Sequence, residues 1–205
     1  MSDDLAEWLA DRRQARLAAL NNRIPFHYQS ARLDLDEHPR VSAWAAGVLD
    51  AQPKGSANPV VMRGKSLLLL GPTGVGKTHL AMALAFYLAE RGGGRMPIFE
   101  VVTAADLYDQ MRPGSGMDGE KVFTRYANAT LLLLDDLGAA NTSPWVEEKT
   151  YRMVNNRYNN ELITVFTSNV PPAKLGEKLG ERVASRLTEM CTVVVLKGED
   201  RRLAS

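Results

Sequence analysis

Residues Gly71-Pro72-Thr73-Gly74-Val75-Gly76-Lys77-Thr78 (GPTGVGKT) follow directly on the apolar run Leu67-Leu68-Leu69-Leu70 and lead into a helix-forming stretch from His79 to Glu90. This order of strand, glycine-rich turn and helix is the setting of a Walker A phosphate loop. Gly71, Gly74 and Gly76 let the backbone curl so that successive N–H groups face phosphate oxygens. The helix that follows presents its positive end to the same anion. Lys77 is placed to bring a point charge to the β- and γ-phosphates, and the Thr78 hydroxyl to complete the shell of a magnesium ion. A glycine-rich turn can be purely structural, but here all four fixed positions are present in the right surroundings. Gly71 to Thr78, with His79 beside them, form the expected binding set for a nucleoside triphosphate.

The second motif is Leu131-Leu132-Leu133-Leu134-Asp135-Asp136, an apolar strand that delivers carboxylates to its carboxyl end, where open parallel sheets bind ligands. Asp135 is expected to hold Mg2+ through water, so Thr78 and Asp135 make the metal-binding pair. Asp136 is placed to polarise an attacking water, a role that takes a carboxylate within hydrogen-bond reach. An acidic pair closing a strand can also be a solvated turn; the clean apolar run and the phosphate loop before it favour the catalytic reading. One further strand, over 97–102, lies between the two motifs in sequence. It predicts an extra strand inserted between the two motif-bearing strands of the sheet, as in ATPases that use a Walker B carboxylate. Val165-Phe166-Thr167-Ser168-Asn169 then closes a fourth strand in a polar triplet. The Asn169 amide can orient a hydrolytic water beside the γ-phosphate, although an Asn after a strand is commonly a turn residue.

Strands expected at 65–70, 97–102, 130–134, 163–167 and 192–196 alternate with helical stretches. That pattern implies an α/β fold: a five-stranded parallel sheet with right-handed crossovers and helices on both faces. Ahead of it, 3–21 reads as an amphipathic helix with Leu5, Trp8, Leu9, Leu17 and Leu20 on or near one face, broken at Ile24-Pro25. Pro39 opens a second short helix through Leu49, and 112–119 (RPGSGMDG) reads as a flexible loop. The 205 residues, 45% apolar and 24% charged, suit one globular domain. A net charge of +1 offers no global field for nucleic acid, so any DNA contact is local; the 17 Arg against 8 Lys suit phosphate clamps and subunit contacts. Cys191 is the single cysteine, which excludes an intramolecular disulfide and fits a reducing cytoplasm. Lying in an apolar strand pattern, it reads as a buried small hydrophobe. Asp3, Asp4, Glu7 and Asp11 are unlike a signal peptide, and no apolar run approaches the ~20 residues of a membrane span.

The series GPTGVGKTHLA, LLLLDDLG, NNRYNN…TVFTSN and GERVASRL strongly resembles the bacterial helicase-loader family of AAA+ ATPases (DnaC/DnaI type), which is closely related to the IstB-type ATPases that assist transposition. The resemblance covers about residues 23–202. It implies ATP with Mg2+ as cofactors, Asn169 as the sensor 1 residue, and a cytoplasmic protein that assembles with itself into a ring or spiral. Such a protein binds single-stranded DNA and helps place a replicative DNA helicase on it. NRIPFHY at 22–28 resembles the family's lead-in to the ATPase core, near the adenine. GERVASRL resembles box VII, whose arginine reaches the γ-phosphate held by a neighbouring subunit. Arg186 is the first choice for that finger and Arg182 the second; four residues apart, they share a helical face. A finger of this kind is worth ~10³–10⁵ in rate. Without the other motifs, both would read as surface arginines pairing with Glu181 or Glu189. Arg201 or Arg202 in GEDRR resembles a sensor 2 arginine, and Arg202 joins the expected nucleotide contacts.

Two departures from the family pattern stand out. Nine residues follow Leu196, too few for the helical lid domain of many AAA+ proteins, and loaders of this type lack or minimise that lid. About 22 residues precede the core, where family members carry a separate helicase-binding domain. The expected division is therefore 1–22, a helix for docking or partner contact, and 23–205, the AAA+ domain. The helicase contact is either reduced to that helix or belongs to a part from which this core was excised. In the family, single-stranded DNA is gripped partly by an insertion after the second strand. Here that region, Thr103 to Arg125, holds Tyr108, Arg112, Lys121 and Arg125 around the glycine-rich loop, the ingredients of stacking and backbone neutralisation. The leading reading is a helicase loader or its ATPase core. Its rivals are a transposition helper acting on duplex DNA, a small-molecule kinase, and a nucleotide-gated adaptor. The 112–119 loop is too short and too poor in charge to be a kinase lid, and the paired Asp135-Asp136 argue against an inert adaptor.

Overall fold

Strands made of four consecutive leucines have no polar face and have to be covered on both sides. The computed structural model, which describes residues 3–51, 63–92, 97, 99–139 and 143–200, shows that arrangement. The strands are β1 (Ser66–Leu70), β2 (Phe99–Thr103), β3 (Leu131–Asp135), β4 (Ile163–Ser168) and β5 (Cys191–Val195). They form one sheet in the order β2-β3-β4-β1-β5, and every pairing is parallel. Leu67 and Leu69 face a core shared with α1 (Asp3–Asn21), α2 (Pro39–Asp50) and α3 (Lys77–Arg91). Leu68 and Leu70 face a second core shared with α4 (Ala104–Met111), α5 (Gly119–Ala127), α6 (Pro144–Asn159), α7 (Leu175–Leu179) and α8 (Glu181–Met190). Among the described residues no helix is long and apolar enough to cross a membrane.

Helix starts follow local chemistry. Thr103 accepts the Asp106 N–H with its hydroxyl, Asp118 accepts from Glu120 and Lys121, and Ser143 accepts from Val146 just ahead of Pro144 in the first turn. These caps set the boundaries: α5 begins at Gly119 and α6 at Pro144. The strand between the two motif-bearing strands also differs from the expectation. It is β4, later in sequence than either; the 97–102 region instead supplies β2, on the outer edge beside β3. Strand order depends on the crossovers, which the order of motifs along the chain does not encode.

The amino-terminal helix is not the continuous amphipathic element expected. Leu20 is buried and Leu17 half-buried, while Trp8 is 41% exposed with the Arg12 guanidinium over its ring at 5.4 Å. The docked half is held by a charged residue: buried Arg16 donates to Ala89 O (3.2 Å) and Gly92 O (2.8 Å), capping the carbonyl end of α3. A cation at a helix C-terminus is favourable in both charge and hydrogen bonding. A second buried arginine joins the other layer. Arg157, fully buried on α6, donates to Thr164 Oγ1 (2.6 Å), Tyr126 O (3.0 Å), Ala127 O (3.2 Å), Ala129 O (2.7 Å) and Ile163 O (2.8 Å). Burial lowers its pKa to about 9, so the guanidinium stays charged at neutral pH and pins the end of α5 to the start of β4. Cys191 is buried, and burial raises its thiol pKa, in keeping with a small core residue.

Candidate active site

The carboxyl ends of β1, β3 and β4 open into one cleft of about 740 Å³, lined by His27, Tyr28, the phosphate loop, Asp135, Asp136 and Asn169. The loop is shaped by backbone as much as by side chains. Gly76 has φ 95° where it caps α3, a left-handed conformation that disfavours any residue with a Cβ. Val75 is buried and anchors the loop, while Pro72 and Thr73 are exposed. The Asp200 carboxylate, past β5, lies so close to Gly74 that a Cβ there would collide with it. Arg201 and Arg202 lie outside the described residues. Lys77 is buried at the base of the loop, where its ammonium donates to Pro72 O at 2.7 Å.

The two motif strands meet through their polar ends. Thr78 Oγ1 donates to Asp135 at 3.0 and 3.2 Å. Burial raises the Asp135 pKa, against hydrogen bonds from Thr167 and Thr78 that favour its charged form. A hydroxyl beside a carboxylate is the hard-oxygen donor set that suits Mg2+, which binds proteins through one or two carboxylates and takes substrate phosphates for the rest. Asp136 turns out of the strand at φ 58°, a left-handed conformation uncommon for a residue with a side chain. Its carboxylate accepts from Asn169 Nδ2 at 2.9 Å. The whole triplet Thr167-Ser168-Asn169 is bonded to the turn 135–137, with Ser168 Oγ donating to Leu137 O at 2.5 Å. The Asp136 side chain thus leans toward the cleft under the hold of a strand thirty residues away in sequence.

His79 is exposed at the cleft rim, where its ring meets Tyr28 edge-on at 6.4 Å, and His27 lies 3.9 Å from Tyr28. Segment 22–28 therefore reaches the nucleotide cleft. Arg182 and Arg186 lie elsewhere, on the face of α8 that packs on α6. Arg186 donates to Asn155 Oδ1 (2.9 Å), Arg182 O (3.0 Å) and Tyr151 Oη (3.4 Å), with the Tyr151 ring 5.0 Å away. Arg182 is exposed, 5.9 Å from the same ring. Neither arginine lines the cleft of its own chain.

In the segment expected to hold DNA, Tyr108 is a correction. It is buried at 4% exposure, its hydroxyl bonded to Thr150 at 2.6 Å and its ring edge-on to Trp145, so it offers no stacking face. Burial raises its pKa. Arg112 and Lys121 are exposed and paired with Asp109 and Asp118, and Arg125 pairs with Glu100.

A family model described as IstB-like ATP binding protein matches residues 56–205. The ATP-binding protein of insertion sequence IS5376 from Geobacillus stearothermophilus is 31% identical over 148 residues, 69% of this chain and 57% of the relative. The replicative helicase loader DnaI of Bacillus subtilis is 29% identical over 153 residues, 68% of this chain and 48% of the relative. The chain spans about half the length of these relatives. Among solved structures, the DnaC helicase loader matches with a TM-score of 0.68 at 28% identity, over 84% of this chain and 100% of that one. The sheet and phosphate loop are those of the AAA+ class.

Proposed function

This chain belongs to the family of IstB-like ATP-binding proteins, and from that premise we propose that it hydrolyses ATP in the cleft at the carboxyl edge of the sheet and works as a DNA replication helicase loader, or as the ATPase core of one. The observation that carries the ATPase reading is the meeting of Asn169 with Asp136 at 2.9 Å beside the Thr78–Asp135 pair. The loop amides and Lys77 bind the phosphates. Thr78 and Asp135 would hold Mg2+, which when bound neutralises charge on the β- and γ-oxygens. Asp136 accepts a proton from the attacking water, and Asn169 orients that water. The loader reading is supported by kinship to DnaI and to DnaC; single-stranded DNA and a replicative helicase are its proposed partners.

Residues 23–205 are assigned to the ATPase domain, and 1–22 to docking through Leu17 and Leu20 or partner contact through the Trp8 half. Self-association brings the α8 face of one protomer to the cleft of the next. Arg186 is the assigned finger, pre-set by Asn155 and Tyr151, and Arg182 is the second choice. Replacing Arg186 by Ala is expected to leave nucleotide binding intact and to remove cooperative turnover, by ~10³ if the finger acts as in other phosphoryl-transfer systems; normal steady-state turnover moves the assignment to Arg182.

The relation to the IS5376 protein supports a second reading, a transposition helper bound to duplex DNA. Fluorescence anisotropy of labelled single- and double-stranded oligonucleotides, with a non-hydrolysable ATP analogue and with ADP, separates the two. The loader reading expects an ATP-dependent preference for the single strand. A duplex preference replaces it with the helper, and binding to neither removes the DNA role from this chain by itself.

A further inference from the structure

Thr167 occupies the position where β4 meets the Walker B turn, 1% exposed between two leucine-rich strands. Its hydroxyl donates to Asp135 Oδ1 at 2.6 Å and accepts the Asp136 N–H at 2.8 Å. Its carbonyl accepts the Leu137 N–H at 2.8 Å. One residue thus grips three consecutive positions of the turn that carries both carboxylates. The hydroxyl is fully used, with its single proton given to one aspartate and a lone pair to the amide of the next. Packing alone does not call for it. Ile163 and Val165 precede it at two-residue spacing on the strand, and a valine at 167 would have the same shape and a good strand propensity. Asp136 needs the restraint, because its left-handed backbone leaves the strand ladder where the carboxylate must be aimed. The Thr78 hydroxyl holds Asp135 from the phosphate-loop side, and Thr167 holds it from the sheet side.

We propose that Thr167 is a positioning residue for ATP hydrolysis: its hydroxyl fixes Asp135 and Asp136 relative to one another, so that the ion-binding and water-polarising carboxylates act on the same phosphate. This rests on the reading of the cleft as an ATPase site. The hydroxyl does not itself touch the reacting atoms; it acts through the two aspartates.

The test compares the full chain with Thr167→Val and Thr167→Ser, reading steady-state ATP turnover and the affinity for a fluorescent ATP analogue with Mg2+ and with EDTA. In the valine variant kcat is expected to fall about 30- to 100-fold, the size of effect that a misplacement of about 1 Å produces, with the affinity in EDTA within about 3-fold of the parent and KM measured with Mg2+ raised only by the factor lost from the Mg2+ gain. The gain in analogue affinity on adding Mg2+ shrinks at least about 5-fold in the same variant, and serine, which keeps the hydroxyl, restores both quantities to within about 3-fold. Three results overturn the inference: unchanged kcat in the valine variant, equal losses in valine and serine, or a parallel loss of EDTA affinity and thermal stability, which would make the residue a packing element. If the parent chain shows no turnover, the ATPase reading fails separately. The Mg2+-dependent gain then decides the part of the assignment that needs no turnover, the hold of Thr167 on the ion-binding Asp135: its loss in valine alone upholds that hold, and an equal gain in parent and valine variant sinks it.

Discussion

The nucleotide cleft and the α4–α5 segment beside it use the same kinds of side chain, Thr, Asp, Lys and Arg, and differ in what those groups face. In the cleft, Lys77, Asp135 and Thr167 are 6%, 7% and 1% exposed; Thr167 is bonded to Asp135, and Lys77 donates to the loop carbonyl of Pro72. In the segment, Arg112 and Lys121 have side chains 61% and 86% exposed and pair with acids three residues away on their own chain. Exposed pairs of that kind contribute about 0–1 kcal/mol each and are screened by salt. Charges in the cleft act in a drier setting, where the same Coulomb interaction is several times stronger. The cleft depends on its particular neighbours, whereas the segment tolerates change.

The contrast can be broken most severely through Arg157, which ties the end of α5 to β4. Substituting Leu strands four carbonyls, at Tyr126, Ala127, Ala129 and Ile163, and is expected to lower stability by about 3–5 kcal/mol, read as a fall in the urea midpoint. An unchanged midpoint would show that the segment stands without its pin. Next in size, Lys77→Ala is expected to weaken ATP binding about 100-fold or more, equivalent to about 2.7 kcal/mol, by calorimetry. Asn169→Ala should keep nucleotide affinity and lower kcat by roughly 10- to 100-fold, since one orienting donor is lost. The smallest effect belongs to the segment. Arg112→Ala with Lys121→Ala should change stability by no more than about 0.5 kcal/mol and leave ATP affinity unaltered. If the segment touches DNA, the same double variant lowers the salt slope of single-strand binding by roughly 1.4; equal slopes remove DNA from it.

Much of the cleft was legible in the chain because phosphate geometry dictates both residue type and spacing. The strand–loop–helix order around GPTGVGKT, the leucine strand before Asp135-Asp136 and the strand ending in the polar triplet at 167–169 all fall on elements whose ends meet at one cleft. The buried arginines leave a fainter mark in the sequence. Arg157 stands three, four and seven residues after Val154, Met153 and Thr150, all buried on α6, and that spacing was the available signal for a charge inside the core. Tyr108 follows Leu107 and precedes Met111 on the inner face of α4, which turns it inward instead of offering a stacking face. An aromatic beside a glycine-rich loop is ambiguous until its helix is docked. Trp8 is exposed and Leu9 half-buried, whereas Leu17 and Leu20 pack on the core in the half that Arg16 anchors.

By itself the sequence determined the fold class, the five parallel strands and where the glycine-rich loop and the acidic strand end fall along the chain, since periodicity and motif spacing are local properties of the chain. Only the tertiary structure decided that β4 separates the two motif strands, that Asn169 and Thr167 close on Asp136 and Asp135, and that Arg186 is held on α6 away from its own cleft. Those contacts join positions about thirty residues apart. They exist only once parallel crossovers have brought distant strand and helix ends together, which no local pattern records.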